Sequence, residues 1–439
     1  MSTPSRVVVR SYLDPLEPAD ITTAPKWLGK NSGNLVFSAS AQRLVSAPGV
    51  QVEPLPMWNL VREVERINDE GTPVVLPLAN AFRRDFLPQL RDLTAFVERL
   101  TVPLTILGVG AQGSADYALQ PDDAVDEATR RFVRAVLERG PSIGVRGQFT
   151  ADYLASLGFT ETRVIGCPSM FLHGPDLTVR EERPPLRWDS PIAVNLTPDV
   201  PVPTGWLRDI AAYYRRAVYV PQDANDLRVM LGGAALAGPD DDYPGHLAHP
   251  FLAEDRTRFY LHAPTWIEAM RAQAFVFGHR IHGNVAALLA GTPAHVVAHD
   301  SRTRELADYF EIPCTLARDV TPGTTVEELY TGSDWGPVVR GHRGRTERIA
   351  AYLDEHGLAH TAMTPSGEAP FDQALAALDL WGPEVVVTVR SQDPRVLDAR
   401  AWHGTTVLQR RVDELERRVA ELESRLAERP GPLRRLTGR

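Results

Sequence analysis

Short apolar runs, rich in β-branched residues and separated by amphipathic stretches, restrict the folds open to this chain more than any other feature. Strand candidates fall at residues 7–9, 74–76, 103–107, 142–145 and 163–166. Helical patterns fall between them at 57–68, 87–100 and 124–139, the last carrying Phe132, Val133, Val136 and Leu137 on one face. A second series of strand candidates follows at 192–196, 217–220, 259–261, 274–277 and 295–298. Strands this short and this apolar belong to parallel sheets covered by helices on both sides. A chain of 439 residues exceeds one ordinary core. The charged, proline-bearing stretch 180–190 therefore reads as a linker. The architecture predicted is α/β: two Rossmann-like domains facing a cleft, residues 1–180 and 190–335, followed by C-terminal helices over 336–385.

Within that frame the segment Gly278-His-Arg-Ile-His-Gly-Asn284 carries chemistry. It lies between a strand candidate and the helix-like run 285–290, so Arg280 and His282 sit at a strand's carboxyl end beside free helix N–H groups. If the stretch is extended, residues two apart point the same way. A fixed cation, a titratable imidazole and a helix N-terminus suit a phosphate- or carboxylate-bearing ligand. For a lone histidine a structural role is the commoner case; Arg280, Gly283 and Asn284 beside it reverse that preference.

Other segments are weaker singly. Residues 107–113 (Leu-Gly-Val-Gly-Ala-Gln-Gly) follow a strand, and glycines there let backbone approach a ligand closely, which places Gly110 and Gln112 beside the cleft. The spacing is not a dinucleotide fingerprint, and a tight turn explains it equally well. Asn31-Ser-Gly-Asn34 suits a helix cap facing the cleft, with Asn31, Gly33 and Asn34 as lining residues; capping alone is the other explanation. Arg146 ends a strand, where α/β proteins place ligand groups, although surface salt bridges claim most arginines. Asp300-Ser-Arg-Thr-Arg304 puts Arg302 and Arg304 in a first helical turn, where cations oppose the dipole and an anion site would tolerate them. Residues 239–245 read as an exposed loop, its aspartates a solvated turn rather than a metal site.

A formal net charge of -9 gives no support to nucleic-acid binding. Cys167 and Cys314 are too few for a disulfide framework and lack metal-ligand spacing. No signal-peptide core and no membrane-length apolar run is present, which makes cytoplasmic the default location. No metal is called for.

Taken in order, 108–113, 142–146 with 151–158, 166–169, 278–284 and 298–302 resemble the polysaccharide pyruvyl transferase family. The resemblance covers about residues 30–315. It implies a two-domain fold like the GT-B glycosyltransferases, phosphoenolpyruvate as co-substrate with no further cofactor, and a saccharide acceptor. The arginine and histidine of the family's R-x-H-G element, here Arg280 and His282, would carry the reaction, with Arg146, Gly283, Asn284, Asp300, Arg302 and Arg304 as donor or anion contacts. One departure stands out: the family's N-x-G-D element ends here in Asn34. The same architecture also serves a nucleotide-sugar glycosyltransferase, and a catalytically silent assembly protein is a third reading.

Outside the resemblance, Leu408, Val412, Leu415, Val419, Leu422 and Leu426 are spaced 4, 3, 4, 3, 4. That heptad seam of roughly three repeats predicts a coiled coil over 405–428 and, through it, a homo-oligomer. A single amphipathic helix docked on its own chain is the alternative.

Overall fold

The computed structural model describes residues 5–17, 21, 24, 28, 31–119, 121–198, 200–233, 235–236, 242–378, 386–391 and 394–427. Its first sheet is built from β1 (Arg6–Arg10), β2 (Gln51–Leu55), β3 (Val74–Pro77) and β4 (Leu104–Leu107), in the order β2-β1-β3-β4 and parallel throughout. Two further parallel strands, β5 (Ile143–Val145) and β6 (Thr162–Val164), continue it, because a bridge joins Val109 beyond β4 to Val145.

The second half contains β7 (Ile192–Asn195), β8 (Val218–Tyr219), β9 (Phe259–Tyr260), β10 (Phe275–Gly278), β11 (Ala294–Ala298), β12 (Cys314–Leu316) and, far along the chain, β13 (Val386–Val387). Five of these form a parallel sheet in the order β12-β11-β10-β7-β8, while β9 and β13 pair antiparallel. Every residue of β3, β4, β7, β10 and β11 is buried. The predicted mixed α/β architecture with parallel sheets is thus the one observed. The predicted helices recur at Met57–Asp69, Leu87–Arg99 and Asp123–Leu137.

The helix Gly33–Val45 lies between the sheets, and every residue of it except Asn34 is buried. A helix apolar or small on all sides belongs inside a core. This one packs on the turn Pro168–Phe171 and on the helices Ala263–Arg271 and Ile281–Leu289. One continuous apolar cluster accordingly joins Val7, Val9 and Leu107 of the first sheet to Val194, Phe275 and Val296 of the second. The opposite face of the first sheet keeps a core of its own, around Val8, Leu76 and Ile106.

C-terminal segments then tie the halves together. The helix Gly336–Glu355 returns to the first sheet, where Tyr352 Oη donates to Ile106 O (2.7 Å) and accepts from Gly144 N (2.9 Å). Arg43, within the central helix and wholly buried, meets Asp372 with Nε 2.8 Å from Oδ1 and Nη2 3.0 Å from Oδ2. Its Nη2 also donates to the carbonyls of Thr364 and Pro365, and Thr361 N to Leu44 O. With Nη1 on Thr361 O as well (3.3 Å), the guanidinium meets both carboxylate oxygens and three carbonyls in a place where an unpaired charge would be prohibitive.

Two local readings change. Residues 239–241 lie outside the described residues, but Asp242 is buried rather than exposed: it accepts from Leu207 N (2.7 Å) and Arg208 N (3.2 Å), capping the helix Trp206–Tyr213. Residues 180–190 contain no helix or strand, yet Arg180 and Arg183 bind carbonyls of the second half (Gln273 and Ser333), so the stretch is pinned along its length. The heptad stretch falls in one helix, Pro394–Ala427, and the chain beyond 427 lies outside the described residues. No helix among the described residues is long and apolar enough to cross a membrane.

Removing the carboxylate of Asp372 leaves Arg43 charged and unpaired in the core. Asp372→Ala is expected to cost about 3–5 kcal/mol of unfolding free energy, read by denaturant titration, with Arg43→Met less costly than Asp372→Ala because it removes the buried charge itself.

Candidate active site

The site is organised by the end of β10. Gly278 has φ +142°, and a Cβ there would stand 1.8 Å from Asn195 O, the end of neighbouring β7. Only glycine permits that approach. Across it, His279 N donates to Asn195 O (2.8 Å) and Arg280 N to Asn195 Oδ1 (2.9 Å). Asn284 Nδ2 closes the turn on Gly278 O (3.2 Å) and Arg280 O (3.1 Å). Asn284 therefore shapes the turn from within the core rather than lining the cleft.

These bonds start the helix at Ile281, with Arg280 as its N-cap. The extended geometry considered for 280–282 is therefore not the one adopted. Two positions along a helix differ by roughly 200°, and the two side chains diverge. Arg280 lies along β7's exit, with Nε donating to Leu196 O (3.2 Å) and Nη2 3.2 Å from Asp223 Oδ2. His282 turns to the first half: its Nδ1 lies 2.5 Å from where a Cβ on Gly33 would be, and its Nε2 is 3.9 Å from Cys167 Sγ. Gly33 is what leaves room for the imidazole.

The first half's contribution to the site comes from the central helix and the residues just before it. Asn31 Oδ1 accepts from Gly33 N (2.9 Å), and the backbone there pairs with the second half through an Asn31–Asp223 bridge and Ser32 N to Gln222 O (2.8 Å). Asn34 Nδ2 donates to Leu28 O (2.8 Å). An ionised aspartate has no proton to give, so the departure at this position serves a structural bond. Gln112 accepts from Asn80 Nδ2 (3.0 Å), holding the glycine turn to the β3 exit.

Arg146 leaves β5 fully buried. Its Nη2 donates to Ala79 O, while its Nε has no partner among the described residues. A Cβ on Gly110 would fall 2.4 Å from that Nε, so the glycine turn exists here to let the guanidinium pass. Asp300 caps the helix Ser301–Phe310 through Thr303 N (2.9 Å) and also holds Arg302 Nε (3.1 Å). Ser301 Oγ instead accepts from Gly113 N (2.7 Å), a clasp between the halves. Glu305 Oε1 makes another, accepting from Thr150 N (2.7 Å). Arg304 is drawn aside: it donates to Ala115 O (2.6 Å), neighbours Asp116 and Asp308, and lies over the Tyr117 ring.

Charge converges on His282. Burial first, then the guanidinium groups of Arg146, Arg302 and Arg280, pull its imidazolium down to about 3, although the ring edge is not wholly covered. The imidazole is therefore neutral at physiological pH. His279 falls to about 3 through burial, His299 and Arg280. His299 falls to about 4 through burial, Arg302 and Arg280, against Asp300. Arg83, half-buried after β3, is close enough to Arg302 that burial and this neighbour lower its proton affinity. Buried polar atoms without a hydrogen-bond partner among the described residues gather here too: Asn195 Nδ2, Gln222 Nε2, Thr197 Oγ1 and His299 Nδ1.

Sequence reasoning missed Arg83, Asn195, Gln222, Asp223 and Cys167. Asn195 and the Gln222–Asp223 pair follow strands, and that position was the available signal. Arg83 had none, being a loop arginine until the chain folds.

Arginines converge on a neutral imidazole near the carboxyl ends of two parallel sheets, an arrangement of charge that suits a small polyanion. The model of the family "polysaccharide pyruvyl transferase" matches residues 31–301, more than half of the chain, and the chain belongs to that family. None of the curated proteins compared matches it significantly. Among solved structures, a Staphylococcus aureus MnaA–UDP complex is 12% identical with TM-score 0.42, covering 80% of this chain and 96% of that one. UDP-GlcNAc 2-epimerase of Methanocaldococcus jannaschii, complexed with UDP-GlcNAc and UDP, is 9% identical at TM-score 0.40, covering 80% and 99%. The enzyme of Neisseria meningitidis bound to UDP-GlcNAc is 9% identical at TM-score 0.35, covering 84% and 98%.

Burial holds six histidines neutral: His279 and His282 fall to about 3, and His249, His262, His295 and His299 to about 4. Their folded values lie below the unfolded value of about 6.5. The stability they contribute is therefore complete above that pH and is lost as pH falls toward 3–4. The melting temperature is expected to drop steeply between pH 6.5 and 4, with net proton uptake on unfolding; a flat profile over that window would contradict the burial.

Proposed function

We propose that the protein transfers the enolpyruvyl group of phosphoenolpyruvate to two hydroxyls of one sugar, forming a pyruvate ketal and releasing phosphate. The work would be done between two Rossmann-like domains, 1–180 and 190–335, arranged as in GT-B enzymes. The observation that carries the reading is His282 of the R-x-H-G element, within the stretch the family model matches and held neutral by burial and by Arg146, Arg302 and Arg280. The donor is small and carries both a phosphate and a carboxylate, which suits several guanidinium groups rather than one.

Two C–O bonds form at C2 and the C2–O bond to phosphate breaks. The electrons of the C2=C3 double bond take a proton, so C3 becomes a methyl. The acceptor gives up two hydroxyl protons; one balances the proton gained at C3 and the other leaves with phosphate. His282 is assigned the proton transfers. Being neutral in the empty site, it is ready to take a proton from the attacking hydroxyl, and a bound polyanion offsets the arginines and raises its affinity for that proton. Arg280 is assigned to the donor's phosphate or carboxylate, oriented by Asp223. Arg146, Arg302 and Arg83 stabilise the charge of the departing phosphate, while the orphaned amides of Asn195 and Gln222 are left to bind sugar hydroxyls.

The test is phosphate release from phosphoenolpyruvate across a panel of hexose acceptors. Acceptor-dependent release should fall by ~10²–10⁴ in His282→Ala with the fold retained. Release that survives in that variant removes His282 from the chemistry. Binding of a nucleotide-sugar with no release from any acceptor would replace the reading with a glycosyltransferase, and silence on both counts with an assembly protein. Arg280→Lys should raise donor KM by about 10–100-fold, the value of one or two charge-assisted hydrogen bonds, with kcat changed less, whereas Arg83→Ala should lower kcat by about the same factor.

A further inference from the structure

The last helix, Pro394–Ala427, has two unlike halves. Near its start Val396 and Ala399 are completely buried and His403 nearly so, and the helix packs on Ala224–Gly232. Further along, Val412, Leu415, Val419 and Leu422 are 46%, 47%, 52% and 56% exposed. Four aliphatic side chains on one stripe, each about half in water, are not explained by the body of this chain. The alternative of a helix docked throughout on its own chain is thereby set aside for these four residues.

We infer that this stripe is covered by the same stripe of a second copy, in a parallel, in-register, two-stranded coiled coil. The 4-3 spacing assigns Val412, Val419 and Leu426 to heptad position a, and Leu408, Leu415 and Leu422 to position d. Two valines at a, with leucine at every d, is the pattern that favours two parallel strands over three or four. The flanking charges set the direction. Position g is Arg411, Arg418 and Arg425, and position e is Gln409, Glu416 and Glu423. In a parallel pair each g residue faces the e residue five positions on in the partner, which sets Arg411 against the partner's Glu416 and Arg418 against the partner's Glu423. The symmetry mates repeat both. In an antiparallel pair g faces g and e faces e, so arginine would meet arginine and glutamate would meet glutamate. One orientation is attractive at these flanks and the other repulsive, and a self-complementary stripe names a second copy of this chain as its occupant.

A consequence for function follows from direction. Both catalytic bodies lie at the amino-terminal end of the coil, side by side, each joined to it through a docked first half of the same helix. Two sites at fixed spacing can engage neighbouring units of one repeating polymer, so the second encounter becomes intramolecular. This consequence rests on the proposed activity; the dimer does not.

The test uses the full chain and light scattering over a concentration series. The mass expected is that of a dimer, falling toward monomer on dilution. The triple variant R411E/R418E/R425E and the double variant E416R/E423R should each raise the dimer dissociation constant by more than about tenfold, since every g–e′ pair becomes repulsive. Mixing the two should restore a dimer, which misfolded chains could not do. Thr405→Cys, at the amino-terminal a position of the stripe, should give an oxidised dimer band. A monomer at tens of micromolar overturns the proposal, and so does a trimer. Failure of Thr405→Cys to cross-link in a chain that does dimerise overturns the parallel direction. Because dimerisation is read without any substrate, failure of the pyruvyl-transfer assay leaves this result standing, and the reverse also holds.

Discussion

The contact between Gly278 and Asn195 is where the fold of this protein becomes a site. Two parallel strands end side by side, and the missing side chain at Gly278 lets Asn195 present both its carbonyl and its amide oxygen to the next two backbone N–H groups. That fixes the first residue of the following helix, and with it the direction of every side chain in its first turn. Arg280 is held along β7 while His282 is sent to the first half, against Gly33. A helix starting one residue later would turn both directions by about 100°, so where these side chains point depends on a backbone approach of a few ångströms.

The second constraint is electrostatic. Placing Arg146, Arg280, Arg302 and Arg83 around one crevice is costly in an empty protein, because like charges repel and burial strips their water. Asp300 and Asp223 offset part of that cost through Arg302 and Arg280. Among the described residues Arg146 has no carboxylate hydrogen-bonded to it; it leans on a carbonyl and leaves Nε unmatched. Such an arrangement is stable only because the surrounding core over-determines it, and the central helix with its Arg43–Asp372 strap supplies that core. The depressed affinity of His282 for a proton comes first from burial and then from the same repulsion read at another atom, the part that an anion placed there would relieve.

Departures from the sequence reading concern direction and partnership rather than composition. Val7, Leu104 and Ile192 announce buried strands because local pattern and burial agree in a parallel sheet. Arg304 and Arg302 look alike as first-turn cations, yet one is held beside the site by Asp300 and the other is drawn off by Tyr117, Asp116 and Asp308. Asn34 reads as a lost carboxylate and proves to be a donor that Leu28 O requires. Arg83 and Gln222 are silent in the sequence because their neighbours arrive from other strands. The helix Gly336–Glu355 gives no hint of its position, since a sequence period reports that a helix has a buried face and not which surface covers it.

By itself the sequence determined the alternation that makes two parallel sheets, the R-x-H-G element at a strand end, and the heptad stripe with its sign-ordered flanks. Each is written in spacings of a few residues, which local geometry enforces wherever the chain folds. Only the tertiary structure decided that Gly33 makes room for His282, that Gly110 makes room for Arg146, and that Asp223 reaches Arg280. These are meetings of residues more than thirty positions apart, fixed by packing of the whole core, and no local rule carries that information.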